Sequence, residues 1–337
     1  MRLPLLLLFL LAAVPILAGD AEERAAAFVR DNASCFVFVE DQVGAGSGFI
    51  AMAGDKPYVF TNQHVVAGHP GFRCTLLDRS PLKLGAASAV VGHDIMFLAV
   101  DSEAKGLEVM TDLEQNAALG DDIAVLGNPE GARVIKPLLG KLVGIGPNLV
   151  EVSAEFVPGN SGSPIIHLKT GKVIGIASYV TVRDSDSIIS QHEPEVRRFG
   201  YRLDTVKEWQ PVVWAAYHQE FATIEQVRKR SQEIVALIQD IAQDTGFVPA
   251  HYQSVVLRTP LEKYVQTTSR SGINRQDRLR AEMDMLATVR NACQSDVDQA
   301  CRTVRYDYFL RALGQELEVR GRFRQLFDKI LKEQSGR

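Results

Sequence analysis

The stretch Pro158-Gly159-Asn160-Ser161-Gly162-Ser163-Pro164 offers a serine in a loop rich in glycine and closed by proline, a composition that turns the chain tightly and holds a hydroxyl clear of the backbone. A serine hydroxyl is a weak nucleophile near neutral pH; it needs an adjacent base, and the base needs an orienting partner. Two earlier stretches supply both: Thr61-Asn62-Gln63-His64-Val65-Val66 and His93-Asp94-Ile95-Met96-Phe97-Leu98-Ala99-Val100. In this reading Ser161 is the nucleophile and His64 the general base and later general acid. Asp94 fixes the imidazole tautomer and supports the imidazolium. The backbone N–H groups of Gly159 and Ser161 form the candidate oxyanion hole, a feature that typically supplies a few kcal/mol of transition-state stabilisation. The chemistry would be acyl transfer through a covalent intermediate, with no cofactor and no metal. Taken singly, each residue has a plainer explanation, as a structural histidine, a surface carboxylate or a loop serine; joint occurrence in this order favours the catalytic one. His69, His93, His167, His192, His218 and His251 read as surface or structural, and Ser47 and Ser178 lack the GxSx context and are second choices as nucleophiles.

The elements that must position these residues are short. Runs of β-branched and aromatic residues, among them Cys35 to Glu40, Gly46 to Ala51, Tyr58 to Thr61, Ile123 to Leu126 and Val173 to Thr181, are parted by Gly, Asp, Asn or Pro. That texture predicts an all-β sandwich or barrel. Thr170-Gly171-Lys172 reads as a hairpin turn, residues 183–196 as a polar surface loop, and residues 22–33 as a short helix. From Asp204 the period becomes helical. Ile224, Val227, Ser231, Ile234, Leu237, Ile238 and Ile241 share one stripe, and a second helix over residues 275–292 carries Leu279, Met283, Leu286 and Val289. A loop over 294–299 leads to a third helix over 300–333, with interruptions expected near Gly314 and Gly321.

Composition narrows the setting. After Met1 and Arg2, an apolar run from Leu3 through Leu17 and the small residues Ala18, Gly19 and Ala21 read as a secretory signal peptide cleaved after Ala18 or Ala21. The run is shorter than the roughly 20 apolar residues of a membrane span, so no stable span is expected after its removal. A net charge of -4 provides no basic excess for nucleic acid. The 4 cysteines suit an exported protein; the expected pairs are Cys35 with Cys74 and Cys293 with Cys301, the alternative being free buried thiols.

With these motifs in view, the chain resembles the trypsin-like serine peptidases of the chymotrypsin fold, and most closely the protease domain of the HtrA (Deg) family. Gly44-Ala45-Gly46-Ser47-Gly48-Phe49 resembles the strand before that family's histidine, residues 61–66 its TNxHVV, residues 93–100 its HDIALLKV, Gly127-Asn128-Pro129 its GNP turn and residues 158–164 its PGNSGGP. The resemblance implies two six-stranded β-barrels with the triad in the cleft between them. It also implies a primary pocket walled by Glu155, Phe156, Val157 and Pro158 before the nucleophile and by Ser178, Tyr179 and Val180 after it. Glu155 there would attract a basic side chain, but Phe156 and Val180 supply bulk and a buried unpaired carboxylate is costly, so a shallow pocket for small apolar residues is favoured. Ser163 stands where the family has a third glycine, and no PDZ domain is recognisable after residue 203.

The expected organisation is multidomain β + α: a signal peptide over 1–21, a chymotrypsin-like double β-barrel over 22–203 and an all-helical accessory domain over 204–337. The expected activity is that of a periplasmic or secreted serine endopeptidase acting on exposed or unfolded polypeptide, with a homo-oligomer or a regulatory partner engaging the helices. Two alternatives stand beside it: a latent, regulated processing peptidase, and a secreted binding protein with a degenerate site.

Overall fold

The short β-branched runs become antiparallel strands because their turn residues let the chain reverse every few residues. In the computed structural model, residues 14–101, 103–183, 195–243 and 248–335 are described. Most of the expected signal peptide and most of the polar loop over 183–196, with His192, lie outside these residues. The described chain divides into two compact units, one ending at Trp214 and the other beginning at Ala215.

In the first unit, β1 (Phe36–Glu40), β2 (Ala45–Ala53), β3 (Lys56–Thr61), β4 (Arg73–Leu76), β5 (Leu84–Val90) and β6 (Met96–Val100) form a sheet. It is followed by a closed six-stranded barrel of β7 (Asp122–Gly127), β8 (Lys136–Ile145), β9 (Leu149–Val152), β10 (Pro164–His167), β11 (Lys172–Arg183) and β12 (Glu195–Tyr201). A further strand, β13 (Trp209–Pro211), returns to pair with β5, so the first sheet has seven strands in the order β13-β5-β6-β3-β2-β1-β4. One apolar cluster, including Phe36, Phe49 and Ile95 from the sheet and Leu126, Ile166 and Ile176 from the barrel, joins the two. A second cluster fills the barrel with Ile123, Val125, Leu142, Val150, Ile165 and Ile174.

Three short or docked helices complete the unit: α1 (Val14–Asp31), α2 (Gln63–Ala67) and α3 (Leu113–Asn116). The helix expected over 22–33 thus begins earlier and ends at Asp31. Ala21, Ala25 and Phe28, spaced to share a helix face, pack into the common cluster, and Arg24 reaches Asp122 at 3.4 Å.

The second unit holds most of α4 (Trp214–Gln243), with α5 (Val255–Thr268), α6 (Arg275–Thr303) and α7 (Asp307–Ser335). Part of each predicted stripe forms its core, where Ile234, Leu237, Leu286 and Val289 meet Leu257, Leu261 and Phe327; Leu279 and Met283 are only half-buried, and Met285 takes the buried place on that face. The loop expected over 294–299 is instead continuous helix. Its polar residues hid the fact that Val297 and Ala300, both fully buried, carry the apolar face onward. Nor do Gly314 and Gly321 interrupt α7; a Cβ at either would meet nothing within 4 Å, so each imposes only the intrinsic cost of about 1 kcal/mol in a helix interior. Arg320, fully buried, donates to Ser231 Oγ at 2.8 Å, to the Val227 carbonyl at 2.9 Å and to Asp296 at 3.1 Å.

Neither expected disulfide forms. Cys35, Cys74 and Cys301 are free thiols. In the β1–β4 register Cys74 lies opposite Val39, four residues along from Cys35, roughly 13 Å at strand rise and beyond the Cα separation a disulfide spans. The Cys35 thiol donates instead to the Lys105 carbonyl at 3.3 Å. Cys293 and Cys301 lie in the one helix α6, about 12 Å apart along its axis, a separation no disulfide bridges.

Candidate active site

Two successive tight turns present Ser161. Asn160 N–H donates to the Val157 carbonyl and Ser163 N–H to the Asn160 carbonyl, both at 3.0 Å. Gly159 (φ +92) and Gly162 (φ +88) occupy the third position of each turn, where a positive φ is required, and Pro158 pre-sets the second position of the first. Glycine is also required by space at position 162, where a Cβ would lie 2.0 Å from the Ser47 carbonyl oxygen. Gly162 N–H then donates to the Ala177 carbonyl at 2.9 Å, which ties the loop to β11.

The backbone around this serine is oriented from outside the loop. The Pro158 carbonyl accepts from Glu130 N–H at 3.1 Å; across a trans peptide the next N–H points the opposite way, so Gly159 N–H is turned away from residue 130. Ser47 holds the carbonyls of Gly159 and Ser161, the Asn160 carbonyl between them being taken by Ser163 N–H. Its hydroxyl donates to Gly159 O at 2.8 Å while accepting from Asn128 N–H at 2.9 Å, and its N–H donates to Ser161 O at 2.9 Å. Among the described residues, the N–H groups of Gly159 and Ser161 meet no acceptor. They are two open donors on either side of Asn160.

The first sheet supplies the other half. His64, on α2 directly after β3, donates its backbone N–H to Asp94 Oδ1 at 3.1 Å and places Nδ1 2.5 Å from Asp94 Oδ2. Asp94, buried at the turn before β6, also accepts from the Ser178 hydroxyl at 3.0 Å, and its backbone carbonyl accepts from Asn62 Nδ2 at 2.6 Å. Gln63 binds the neighbouring His93 carbonyl at 2.8 Å. Burial disfavours the charged imidazole of His64, but the charge and hydrogen bond of Asp94 together outweigh it, so its pKa is raised above the ordinary value.

Ser161 Oγ lies 3.4 Å from the Ser178 carbonyl oxygen rather than on the imidazole, and His64 Nε2 has no hydrogen-bond partner among the described residues. The remaining residues expected around a primary pocket fall in different places. Phe156 is buried in the barrel core. Its neighbour Glu155 faces solvent beside Pro137, Leu138 and Leu139, with Glu22 of α1 close by. Val157 and Pro158 are exposed next to the nucleophile turn, Tyr179 stacks on Phe199 at 5.2 Å, and Val180 is exposed. Ser178 is turned to Asp94 instead of lining a pocket. Ser163 is fully buried, its hydroxyl filling the space that a side chain at Gly127 would need. Among the described residues no cluster of three His, Cys, Asp or Glu side chains is placed to hold a metal.

The residue least legible beforehand is Ser47, which read only as a poor candidate nucleophile. Its one local signal is a small hydroxyl residue flanked by glycines in a strand; its partners, Gly159 and Asn128, lie 112 and 81 residues away.

Residues 46–176 match the family described as trypsin-like peptidase domain. A probable periplasmic serine endoprotease DegP-like of Ectopseudomonas mendocina is 34% identical over 147 residues, 41% of this chain and 30% of that protein. The protein of the same description from Halomonas elongata is 30% identical over 151 residues, 43% and 31% of the respective chains. The crystal structure of the serine endoprotease from Yersinia pestis is 22% identical and covers 52% of this chain and 61% of its own, with a TM-score of 0.39. The chain thus spans under a third of the length of these two curated relatives. Family match and curated relatives agree on one identification: the segment over residues 46–176 is a trypsin-like serine peptidase domain related to the HtrA/DegP family.

Proposed function

We propose that this chain is an exported serine endopeptidase that cleaves exposed or unfolded polypeptide. The observation that carries the reading is the approach of His64 Nδ1 to Asp94 at 2.5 Å in a unit whose nucleophile turn leaves the Gly159 and Ser161 N–H groups open. In the reaction, Ser161 Oγ turns from the Ser178 carbonyl to His64 Nε2, gives up its proton to the ring and forms a bond to the substrate carbonyl carbon. The carbonyl electron pair moves onto oxygen, where the two N–H groups receive it. His64 then passes the proton to the leaving amine as the C–N bond breaks, and water, deprotonated by the same ring, releases the acyl group from Ser161.

The exposed apolar side chains of Val157 and Val180 favour small apolar residues on the acyl side of the cut, and the solvent position of Glu155 argues against a basic preference. The periplasmic descriptions of the relatives and the apolar run Leu3–Leu17 support export. Cleavage after Ala18 would leave Ala21 in the packed face of α1. The helical unit beginning at Ala215 serves in this proposal as an accessory region, open to a regulatory partner or a second copy, while residues 204–214, expected to belong to it, carry β13 and complete the first sheet.

The placement of Ser161 Oγ on Ser178 favours one second reading, a latent peptidase whose serine engages His64 only when substrate arrives. One experiment addresses both. Chain beginning at Gly19 and its Ser161→Ala variant are compared on an unfolded protein and with a serine-directed fluorophosphonate. Cleavage and labelling by the parent alone are the expected result, with cuts after small apolar residues. Labelling that rises when an unfolded protein is added indicates latency, and a folded parent that neither cleaves nor labels in either condition overturns the peptidase reading.

A further inference from the structure

We infer that the first sheet carries a subsite for a carboxylate of the substrate segment downstream of the scissile bond; the inference rests on the peptidase reading above. A cavity of about 790 Å³ opens between the turn joining β1 to β2, the end of α2 and the loop after β7, with Arg73, Arg79 and Arg133 in its wall. The acidic residues of the same wall are already engaged. Glu40 receives Arg133 in a two-pronged contact at 3.0 and 2.8 Å. Asp41 accepts the N–H groups of Val43 and Gly44 and faces His69 Nδ1, each at 2.8 Å, which holds its carboxyl down at about 2. Among the described residues, Arg73 and Arg79 have no hydrogen-bond or ion-pair partner for their guanidinium groups. Arg79 is further held at φ +71, a backbone region that non-glycine residues seldom enter. Two free guanidinium groups beside a cavity suit one ligand chemistry above others, a carboxylate, whose oxygens match the planar fork.

The connection of this cavity to the nucleophile fixes which part of a substrate would reach it. Ser178, which the family resemblance places on the acyl side, offers its carbonyl to Ser161 Oγ at 3.4 Å. The opposite flank of the nucleophile turn is formed by Ser47 and residues 128–131: the Asn128 carbonyl and Glu130 N–H are the groups a Cβ at Gly159 would strike, at 2.6 and 2.7 Å. That same loop ends in Arg133, whose N–H donates to Asn128 Oδ1 at 2.6 Å. On the other wall, the helix bearing His64 is capped by Gly68, which also lines the cavity. A peptide leaving past His64, away from Ser178, runs toward these arginines.

The test measures binding in full-length Ser161→Ala protein, so that it does not depend on turnover. Three fluorescent peptides share an apolar sequence and differ downstream of the intended cut: one with glutamates and an amidated end, one with glutamines and an amidated end, one with glutamines and a free terminal carboxylate. The expected result is at least tenfold tighter binding of a carboxylate-bearing peptide than of the neutral one, weakening as salt is raised and abolished by Arg73→Gln combined with Arg79→Gln in protein whose melting temperature is unchanged. The first and third peptides distinguish a side-chain carboxylate from a chain terminus. Equal affinity for all three, no measurable binding of any, or a preference that survives both substitutions overturns the subsite. Fluorophosphonate labelling of the parent reports separately on the peptidase reading, so failure of one is not mistaken for failure of the other.

Discussion

The two halves of the β unit prepare the candidate site in opposite ways. On the first sheet, the contacts of the proposed base are settled before any substrate is present: Asp94 receives the His64 N–H, the His64 ring and, from the barrel, the Ser178 hydroxyl, and Asn62 holds its carbonyl. On the barrel, the carbonyls of Pro158, Gly159 and Ser161 are held by Glu130 and Ser47, while the donors and the hydroxyl that would face substrate are left without strong partners. The difference follows from what each half must do. A base needs one orientation and one tautomer throughout the cycle, whereas an oxyanion hole is most effective when its donors have no partner to surrender.

Breaking the settled half is expected to have the largest effect. Asp94→Asn puts an amide where three donors converge, so at least one N–H faces another donor and the imidazole loses the acceptor that fixes its tautomer. A fall in kcat on the order of a thousandfold or more is expected, measured on an unfolded-protein substrate against the parent. A fall below tenfold would mean that Asp94 is a structural carboxylate.

Breaking the open half acts through support. Ser47→Ala leaves the Gly159 carbonyl and the Asn128 N–H without a buried partner, a cost of about 1–3 kcal/mol for each such group. The expected outcome is a lower melting temperature together with about a tenfold loss in kcat and little change in KM, because peptide geometry at Gly159 matters most to the developing oxyanion. Ser47→Thr, which restores a hydroxyl, should recover part of the kcat. Loss of stability with kcat intact would make Ser47 purely structural.

The same contrast governs what could be read before the fold was known. His64, Asp94 and Ser161 sit in local motifs whose residue types announce their chemistry, and the glycines at 159 and 162 announce the turns. Ser47 acts across more than 100 residues of chain, and no local pattern records which carbonyl a strand serine will reach. The cysteines show the same limit. Their number suggested bridges, but the β1–β4 register and the unbroken α6 decide their separations. In the helical unit the stripes were legible because burial imposes a period, whereas the stretch over 294–299 was misread because its polar residues lie around a single buried Val297.

The smallest expected effect is also the finest probe of the link between the halves. In the proposed reaction His64 must be neutral to accept the Ser161 proton, and its pKa is raised in the folded protein by Asp94. Activity should therefore fall on acidification through a midpoint above about 6.5, the ordinary histidine value. The sign for stability is the reverse: the His64–Asp94 contact contributes fully below the unfolded-state value and fades as pH rises through the folded one. Ser178→Ala removes a hydroxyl that shares the negative charge of Asp94 Oδ2. The carboxylate then bears more heavily on the ring, and the acid midpoint of kcat/KM should move upward. A net hydrogen bond of about 1 kcal/mol limits the move to roughly half a pH unit or a little more. A downward shift would show that Ser178 acts chiefly by placing the ring rather than by dividing the charge of its partner.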